Sequence, residues 1–437
     1  MTKMASAKPK RRWYQFSLLT LLAVMLLSCF AFAWIGSRMH RARENRERVA
    51  MSEKSIMNAV AAIEKLGGEV ESVYDERRPQ TWLETQFDDP GRPDDPVGIL
   101  KVTMVDFNCR PIVVHSMFDG ESPSHSATNV TDAGLEHLSG LKSLQTLSLT
   151  STNIDDDGLE YLKGLTNLKE LRLAVTQVTD AGLKHLKGMT NLKELRLADT
   201  QITDAGLKHL KGLTNLIYLD LRYTEVTDAA LKHLKGSTNL RLLRLTGTDV
   251  TDDGLKHLNG LKQLESLYLG ETKVTDAGLE YLKGLTQLEM LYLDETNVTG
   301  EGLEHLNGLT RLEVLSLSDT NITDESLEHL KWLKSLQTLN LDETNVTDAG
   351  IEHLKGMNNL YFLHLNNTLV TDNGLEHLSG LKSLRTLSLH RTNVTDAGLE
   401  HVKGMTNLET LILWHTKVTD EGVKRLQQAL PNCEIYH

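Results

Sequence analysis

From residue 130 onward the chain repeats itself every 24 residues. Aspartate keeps the register at Asp132, Asp156, Asp180, Asp204, Asp228, Asp252, Asp276, Asp324, Asp348, Asp372, Asp396 and Asp420, and Gly300 is the one interruption. A unit of 24 residues is too short to enclose a core of its own. It becomes stable only by burying its apolar face against copies of itself, so the chain grows as a stack. The 437 residues are therefore not read as several globular domains.

One unit reads VTDAGLKHLKGLTNLKELRLADTQ, from Val178 to Gln201. Each unit contains Leu-x-x-Leu-x-Leu, first at Leu144, Leu147 and Leu149 and last at Leu408, Leu411 and Leu413. Alternate residues of a strand face opposite sides, which points the second and third leucines inward and their neighbours outward. The motif in register resembles the leucine-rich-repeat family, over about two-thirds of the chain. The resemblance implies an α/β solenoid of twelve repeats over 130–430, a curved coil with parallel strands on the inner face and helices on the outer. At about 4.8 Å per strand, twelve strands make an inner face roughly 58 Å long.

Within the unit, Val-Thr-Asp reads as a helix start: Thr or Asp caps free N–H groups and Asp suits the positive helix end. Leu183 and Leu186 face inward, and Gly188 closes the helix. Glycine recurs at that position in every unit but one, where Trp332 stands. A threonine column runs from Thr152 to Thr416. Its hydroxyls can satisfy backbone groups where the chain turns inward. Asn-x-Thr sequences such as those at Asn345 and Asn393 follow from the same repeat grammar.

Residues 1–15 form a basic tail, and residues 16–36 carry a charge-free apolar run, FSLLTLLAVMLLSCFAFAWI over 16–35. About 20 helical residues span a bilayer's hydrocarbon core. Trp13, Tyr14 and Trp34 flank the run, where interfacial aromatics belong. Its length favours an uncleaved transmembrane anchor. Ala31-Phe32-Ala33 leaves a cleaved signal peptide open, and Leu26-Leu27-Ser28-Cys29 a lipoprotein signal. Lys3, Lys8, Lys10, Arg11 and Arg12 before the run balance Arg38, Arg41, Arg43, Arg46 and Arg48 after it, so the positive-inside rule ties. The likeness to an export signal places the repeats outside the cytoplasm, at the membrane.

Residues 37–129 read as a juxtamembrane helix (40–66) and an α/β capping region with irregular loops. It contains a short strand EVESVY, a proline-rich loop over 75–98 and a strand ILKVTMVDF. With Val102, Val105 and Phe107 at repeat-like spacing, that second strand reads as a degenerate first repeat covering the open end of the core. Residues 108–129 read as an irregular insertion. At the far end, Ile435 holds the register of a strand leucine, so residues 431–437 read as a closing strand.

No catalytic signature appears: no GxSxG, HExxH, P-loop or GxGxxG. A non-catalytic chain without a cofactor is expected. Cys29, Cys109 and Cys433 make neither a disulfide framework nor a CxxC pair. A histidine column (His137, His185, His209, His233, His257, His305, His329, His353, His377, His401) reads as one helix-surface position copied by duplication. Neighbouring helices lie about 8–10 Å apart, too far for adjacent imidazoles to share a zinc at about 2 Å. Asp155-Asp156-Asp157 lacks the alternating spacing of a calcium loop. Beyond residue 50 there are 37 Lys/Arg against 57 Asp/Glu, a net charge of −20. Such a body repels phosphate backbones, and nucleic acid is not an expected partner.

The scaffold is constant while the outward strand positions vary. One patch runs through Tyr218, Arg222, Tyr223, Leu242, Arg244, Tyr268, Met290 and Tyr292. A second comprises Phe362, His364, His390, Arg391, Trp414 and His415. Tyr, Trp and Arg are favoured interface anchors, and exposed apolar clusters mark contact surfaces. The expected function is binding of a protein or an envelope polymer such as glycan through the concave face. Flanking acids (Glu271, Asp294, Glu295, Asp319, Asp342, Glu343) would suit a basic partner surface. The alternative is a structural or self-associating envelope component. In it, a basic block (Lys184, Lys208, Lys232, Lys256) of one copy meets an acidic block (Glu280, Glu304, Glu328, Glu352, Glu376, Glu400) of another.

Overall fold

The computed structural model describes residues 132–142 and 144–437, together with three strands before them: β1 (Leu83–Glu84), β2 (Leu100–Met104) and β3 (Ile112–Ser116). The apolar run at 16–36, the helix expected over 40–66 and the strand expected at EVESVY lie outside the described residues. Among the described residues, no helix is long and apolar enough to cross a membrane.

The twelve repeat strands follow as β4 (Leu144–Ser148) to β15 (Thr410–Ile412), and β16 (Glu434–Tyr436) ends the sheet. All sixteen lie in one sheet in sequence order. From β4 on, every pairing is parallel in an unbroken 24-residue register, as in Leu219↔Leu243 and Leu243↔Leu267. The strand leucines are wholly buried in a single core that runs the length of the stack. Helical segments are wider than the 4.8 Å strand spacing, so stacking bends the coil with its sheet inside.

The start of the sheet differs from the sequence expectation. β2 lies in ILKVTMVDF, but it pairs antiparallel with β1 and β3 and is no degenerate repeat. The reason is connection length: a parallel crossover needs a dozen residues or more, and only residues 105–111 separate β2 from β3. The strand that joins the repeats in parallel is β3, which lies inside the supposed irregular insertion. The two-residue β1 falls in the stretch read as proline-rich loop. β16 closes the other end, with Ile435 opposite Leu411.

The threonine column does what hydroxyl chemistry allows. Each Oγ1 donates to the carbonyl three residues back, from Thr152 on Leu149 at 2.7 Å to Thr416 on Leu413 at 2.7 Å. The residue just before each of these threonines has left-handed backbone, φ +51 to +68°, and only at Gly247 is it glycine. Val175 is the costliest occupant: it is β-branched, at φ +57°, and half exposed. Val175→Gly is expected to stabilise the repeats by about 1 kcal/mol, strain relief exceeding glycine's extra chain entropy. A urea midpoint no higher than that of the parent would refute this.

The Val-Thr-Asp step is divided differently from the expectation. The residue before the aspartate is the cap: Thr179 Oγ1 accepts from Ala181 N–H in β-region backbone, and Asp155, in threonine's place, accepts from Asp157 N–H. Aspartate instead reaches the next repeat. Asp180 Oδ1 accepts from Thr203 N–H at 2.8 Å and Oδ2 from the Thr203 hydroxyl at 2.6 Å. This bridge recurs from Asp156–Thr179 to Asp396–Thr419. It also explains why glycine predominates in a column the sequence left unread, although Ala230 shows that one repeat fits a methyl group beside an intact Asp204–Thr227 bridge. A Cβ at Gly206 would lie 2.3 Å from Asp180 Oδ1, and the same holds at Gly182, Gly254 and Gly278.

The bridge breaks at Gly300, and the break is compensated. A Cβ there would meet Ser326 Oγ at 1.6 Å. Ser326, standing where the other repeats have glycine or, at Ala230, alanine, accepts from Thr323 N–H at 3.1 Å in place of the missing carboxylate. The helical segments on either side, Glu301–Gly308 and Asp324–Trp332, are entirely 3-10. Elsewhere the glycines at the helix ends, as at Gly188, keep ordinary backbone, and only Gly356 among them is left-handed. No conformational demand therefore excludes Trp332.

Candidate functional site

The repeat positions either side of the central strand leucine face outward, as in the half-buried, buried, half-buried pattern of Glu170-Leu171-Arg172. Side chains in neighbouring repeats stand about 4.8 Å apart and interact along the stack. The sheet face divides into four stretches with different chemistry.

The first is ionic. Glu194 lies between Arg172 at 3.0 Å and Arg196 at 2.8 Å. The second contains most of the first sequence patch and is a stack of rings and guanidinium planes. Arg196 lies 5.0 Å over the Tyr218 ring, and Arg244 lies between Tyr218 (5.6 Å) and Tyr268 (4.8 Å). Tyr268 then stacks on Tyr292 at 4.3 Å and 7°. Beneath them Asp220, only 1% exposed, binds Arg222 in bidentate fashion and lies 3.9 Å from Arg244. That carboxylate neutralises the buried side of the arginine cluster. Among the described residues Arg244 Nε has no hydrogen-bond partner. Burial, then the adjoining Tyr268, pushes the Tyr292 phenol up to about 12. Leu242 and Met290 are half-buried in the neighbouring column.

Tyr223 occupies the left-handed position beside this stack. Its ring covers Gly247, where a Cβ would lie 2.3 Å from the ring, and its hydroxyl donates to Glu271 at 2.7 Å. That hydrogen bond, with burial behind it, raises the phenol to about 12. The ring is thus pinned across two further repeats.

The third stretch is polar and satisfies itself. Asp294 accepts from the Ser316 hydroxyl and from Ser318 N–H. Asp342 accepts from Asn366 N–H at 2.7 Å, and Asn366 Oδ1 accepts from His390 N–H and Ser388 Oγ. Of the flanking acids, Asp294 and Asp342 serve this ladder. Glu295 has its carboxyl pushed up, by burial first and then by Glu271, Asp319, Asp294 and Glu343.

The fourth stretch gathers only part of the second sequence patch. His390 makes edge contacts with Trp414 (6.4 Å) and His415 (5.2 Å), and Trp414 meets Tyr436 at 5.8 Å. Tyr436 was missed because it was read as a cap residue; its place one register beyond Ile412 was the available signal. Phe362 and His364 sit two strands away, beside Thr386 and Ser388 of β14, with no ring contact to this cluster. Arg391 is exposed at the left-handed position.

On the outer face the histidines of the column from His185 to His401 are half-buried. His185, His209 and His233 titrate below the usual imidazole value, because of burial first and the adjacent lysine second. Among the described residues no three His, Cys, Asp or Glu side chains converge as a metal site. The acidic block is largely neutralised within its own helices: Glu328–Lys331 at 2.6 Å, Glu352–Lys355 at 3.2 Å and Glu400–Lys403 at 2.5 Å.

Residues 190–250 match one leucine-rich-repeat family model, and residues 140–163, 309–330 and 404–426 match a second. No curated protein matches the chain in sequence. Among solved structures it is similar to an internalin from Listeria monocytogenes, at 26% identity over 75% of this chain and 86% of that one, with a TM-score of 0.58. It is also similar in fold to a leucine-rich-repeat protein from Leptospira interrogans, at 22% identity over 69% and 80% of the chains, with a TM-score of 0.52.

Proposed function

We infer that this chain, a member of the leucine-rich-repeat family, is a non-catalytic scaffold that binds a protein or envelope polymer on its sheet face, centred on the stack from Arg196 to Tyr292. The repeat fold is typical of protein-interaction scaffolds. The observation that carries the reading is the stack itself. Tyr218, Arg244, Tyr268 and Tyr292 hold one another in place before any partner arrives. Large side chains already ordered lose little entropy on binding, and Tyr and Arg are favoured anchors. The stack lies beside the acidic edge from Glu271 to Glu343, which suits a partner with a basic rim.

We also propose that residues 16–36 hold the protein in a membrane, with the repeats outside the cytoplasm. Deleting residues 1–40 is then expected to release a folded body into the soluble fraction. A truncated protein that stays with the membrane would count against this. The self-association reading has less support than the sequence offered, because four of the six glutamates meant to meet the lysine block of another copy, Glu280, Glu328, Glu352 and Glu400, already have lysine partners.

Partner capture tests the main reading. Tyr268→Ala with Tyr292→Ala is expected to weaken binding at least about tenfold, since both are central anchors. Outer-face changes Glu304→Ala and Glu328→Ala should leave it unchanged. Circular dichroism must show the tyrosine variant folded. Binding that survives the tyrosine change and is lost with the outer-face change would move the site to the helices.

A further inference from the structure

The outer face carries a charge pattern that neither the core nor the sheet face explains. Each helical segment offers two exposed positions three residues apart. In the later repeats these hold glutamate then lysine, joined as ion pairs in Glu328–Lys331, Glu352–Lys355 and Glu400–Lys403. In three consecutive earlier repeats both positions are lysine: Lys184 and Lys187, Lys208 and Lys211, Lys232 and Lys235. All six are exposed, and none has a carboxylate within ion-pair distance among the described residues. The first-turn position, acidic at Asp253, Glu301 and Glu325, is alanine here, at Ala181, Ala205 and Ala229, as it is at Ala277, Ala349 and Ala397. His185, His209 and His233 lie between the lysines, and Lys184, Lys208 and Lys232 help hold them neutral. On the adjoining side, an open groove of about 590 Å³ is lined by Lys193, Arg241 and Lys262 with Asn215 and Asn239. Arg241 there already has Glu265 as partner at 2.9 Å, while Lys193 has no ion-pair partner among the described residues.

We propose that the outer face of these three repeats binds a linear polyanion, a chain of closely spaced phosphate groups. The strand register and the buried leucines are the same in repeats with and without lysine pairs, so the pairs are not needed to build the stack. Six like charges in a periodic double row match a ligand with regularly spaced opposite charge. The patch contains no exposed large apolar side chain of the kind that would enter a lipid surface. The acidic remainder of the body does not prevent local recognition, because exposed charges are screened beyond about 8 Å at physiological ionic strength. This surface is separate from the sheet-face site and does not rest on it.

The test is binding of long-chain inorganic polyphosphate to the full-length protein at low and physiological salt. The parent is expected to bind with affinity that falls steeply as salt rises. Replacing Lys187, Lys211 and Lys235 by Gln is expected to lower affinity at least about tenfold. The matched control, Lys331, Lys355 and Lys403 to Gln, should leave it unchanged, because those lysines already serve glutamates. Exposed Lys→Gln changes keep the helices, and thermal melting of both variants checks this. No binding at low salt, or equal loss in the two variants, would overturn the proposal. So would binding to vesicles of anionic lipid without binding to polyphosphate.

Discussion

Leu243→Ala is expected to cost about 2–5 kcal/mol and to loosen three repeats at once. Leu243 is fully buried at the centre of β8 (Leu242–Arg244), with Leu219 and Leu267 opposite it in the flanking strands. Truncation removes the transfer energy of its buried methyl groups and leaves a cavity that rigid neighbours cannot fill. In a globular core the loss would be shared in every direction. Here it can pass only up and down the stack. Hydrogen exchange should therefore speed first at the amides around Leu219 and Leu267, with the ends near Leu147 and Leu411 less affected. Uniform acceleration along the whole chain, or none beside the cavity, would defeat the nearest-neighbour picture.

The second large effect concerns the Asp–Thr bridge. Asp228 accepts two hydrogen bonds from Thr251, at 2.7 Å from N–H and 2.8 Å from the hydroxyl. Asp228→Gly removes the acceptor and is expected to destabilise by about 1–3 kcal/mol. Gly254→Ser alone should also destabilise, because a Cβ at Gly254 would lie 2.5 Å from Asp228 Oδ1 and serine adds an oxygen beyond the methyl group that Ala230 places beside Asp204. The two together copy the arrangement at Gly300 and Ser326 and are expected to recover much of the loss. A double-mutant cycle on urea midpoints measures the coupling. If the combined loss equals the sum of the single losses, the compensation inferred at Gly300 is wrong.

Much of the repeat body was legible because its signals are local and repeated. Leu-x-x-Leu-x-Leu at fixed spacing leaves one way to bury every leucine, and the parallel register follows. What the sequence did not reveal were relations between units. Asp180 looks like a helix-start residue, and only the stacked neighbour shows that Thr203 is its partner. Gly206 looks like a flexible position until that carboxylate is placed beside it. At the start of the sheet the spacing of Val102, Val105 and Phe107 imitated a repeat, while the short link to β3 decided the strand direction. On the sheet face, the outward columns were readable from alternation. Which columns join was not: Tyr268 and Tyr292 meet ring to ring, whereas Phe362 stands apart from Trp414. Pairing across the face depends on rotamers that no single position specifies.

Gly300 and Ser326 bear on how such a chain can be rearranged in the course of descent. Most units are interchangeable, since each supplies the aspartate its successor needs and a residue no larger than alanine beside its predecessor's carboxylate. Unequal crossing-over that removes or adds one whole unit leaves those contacts intact. Between residues 300 and 326 that freedom ends. A crossover there would part the two substitutions, leaving a serine crowded against an aspartate or a threonine facing two glycines. This junction is inherited whole or lost whole, and it gives an otherwise uniform tandem array a fixed point from which its units can be counted.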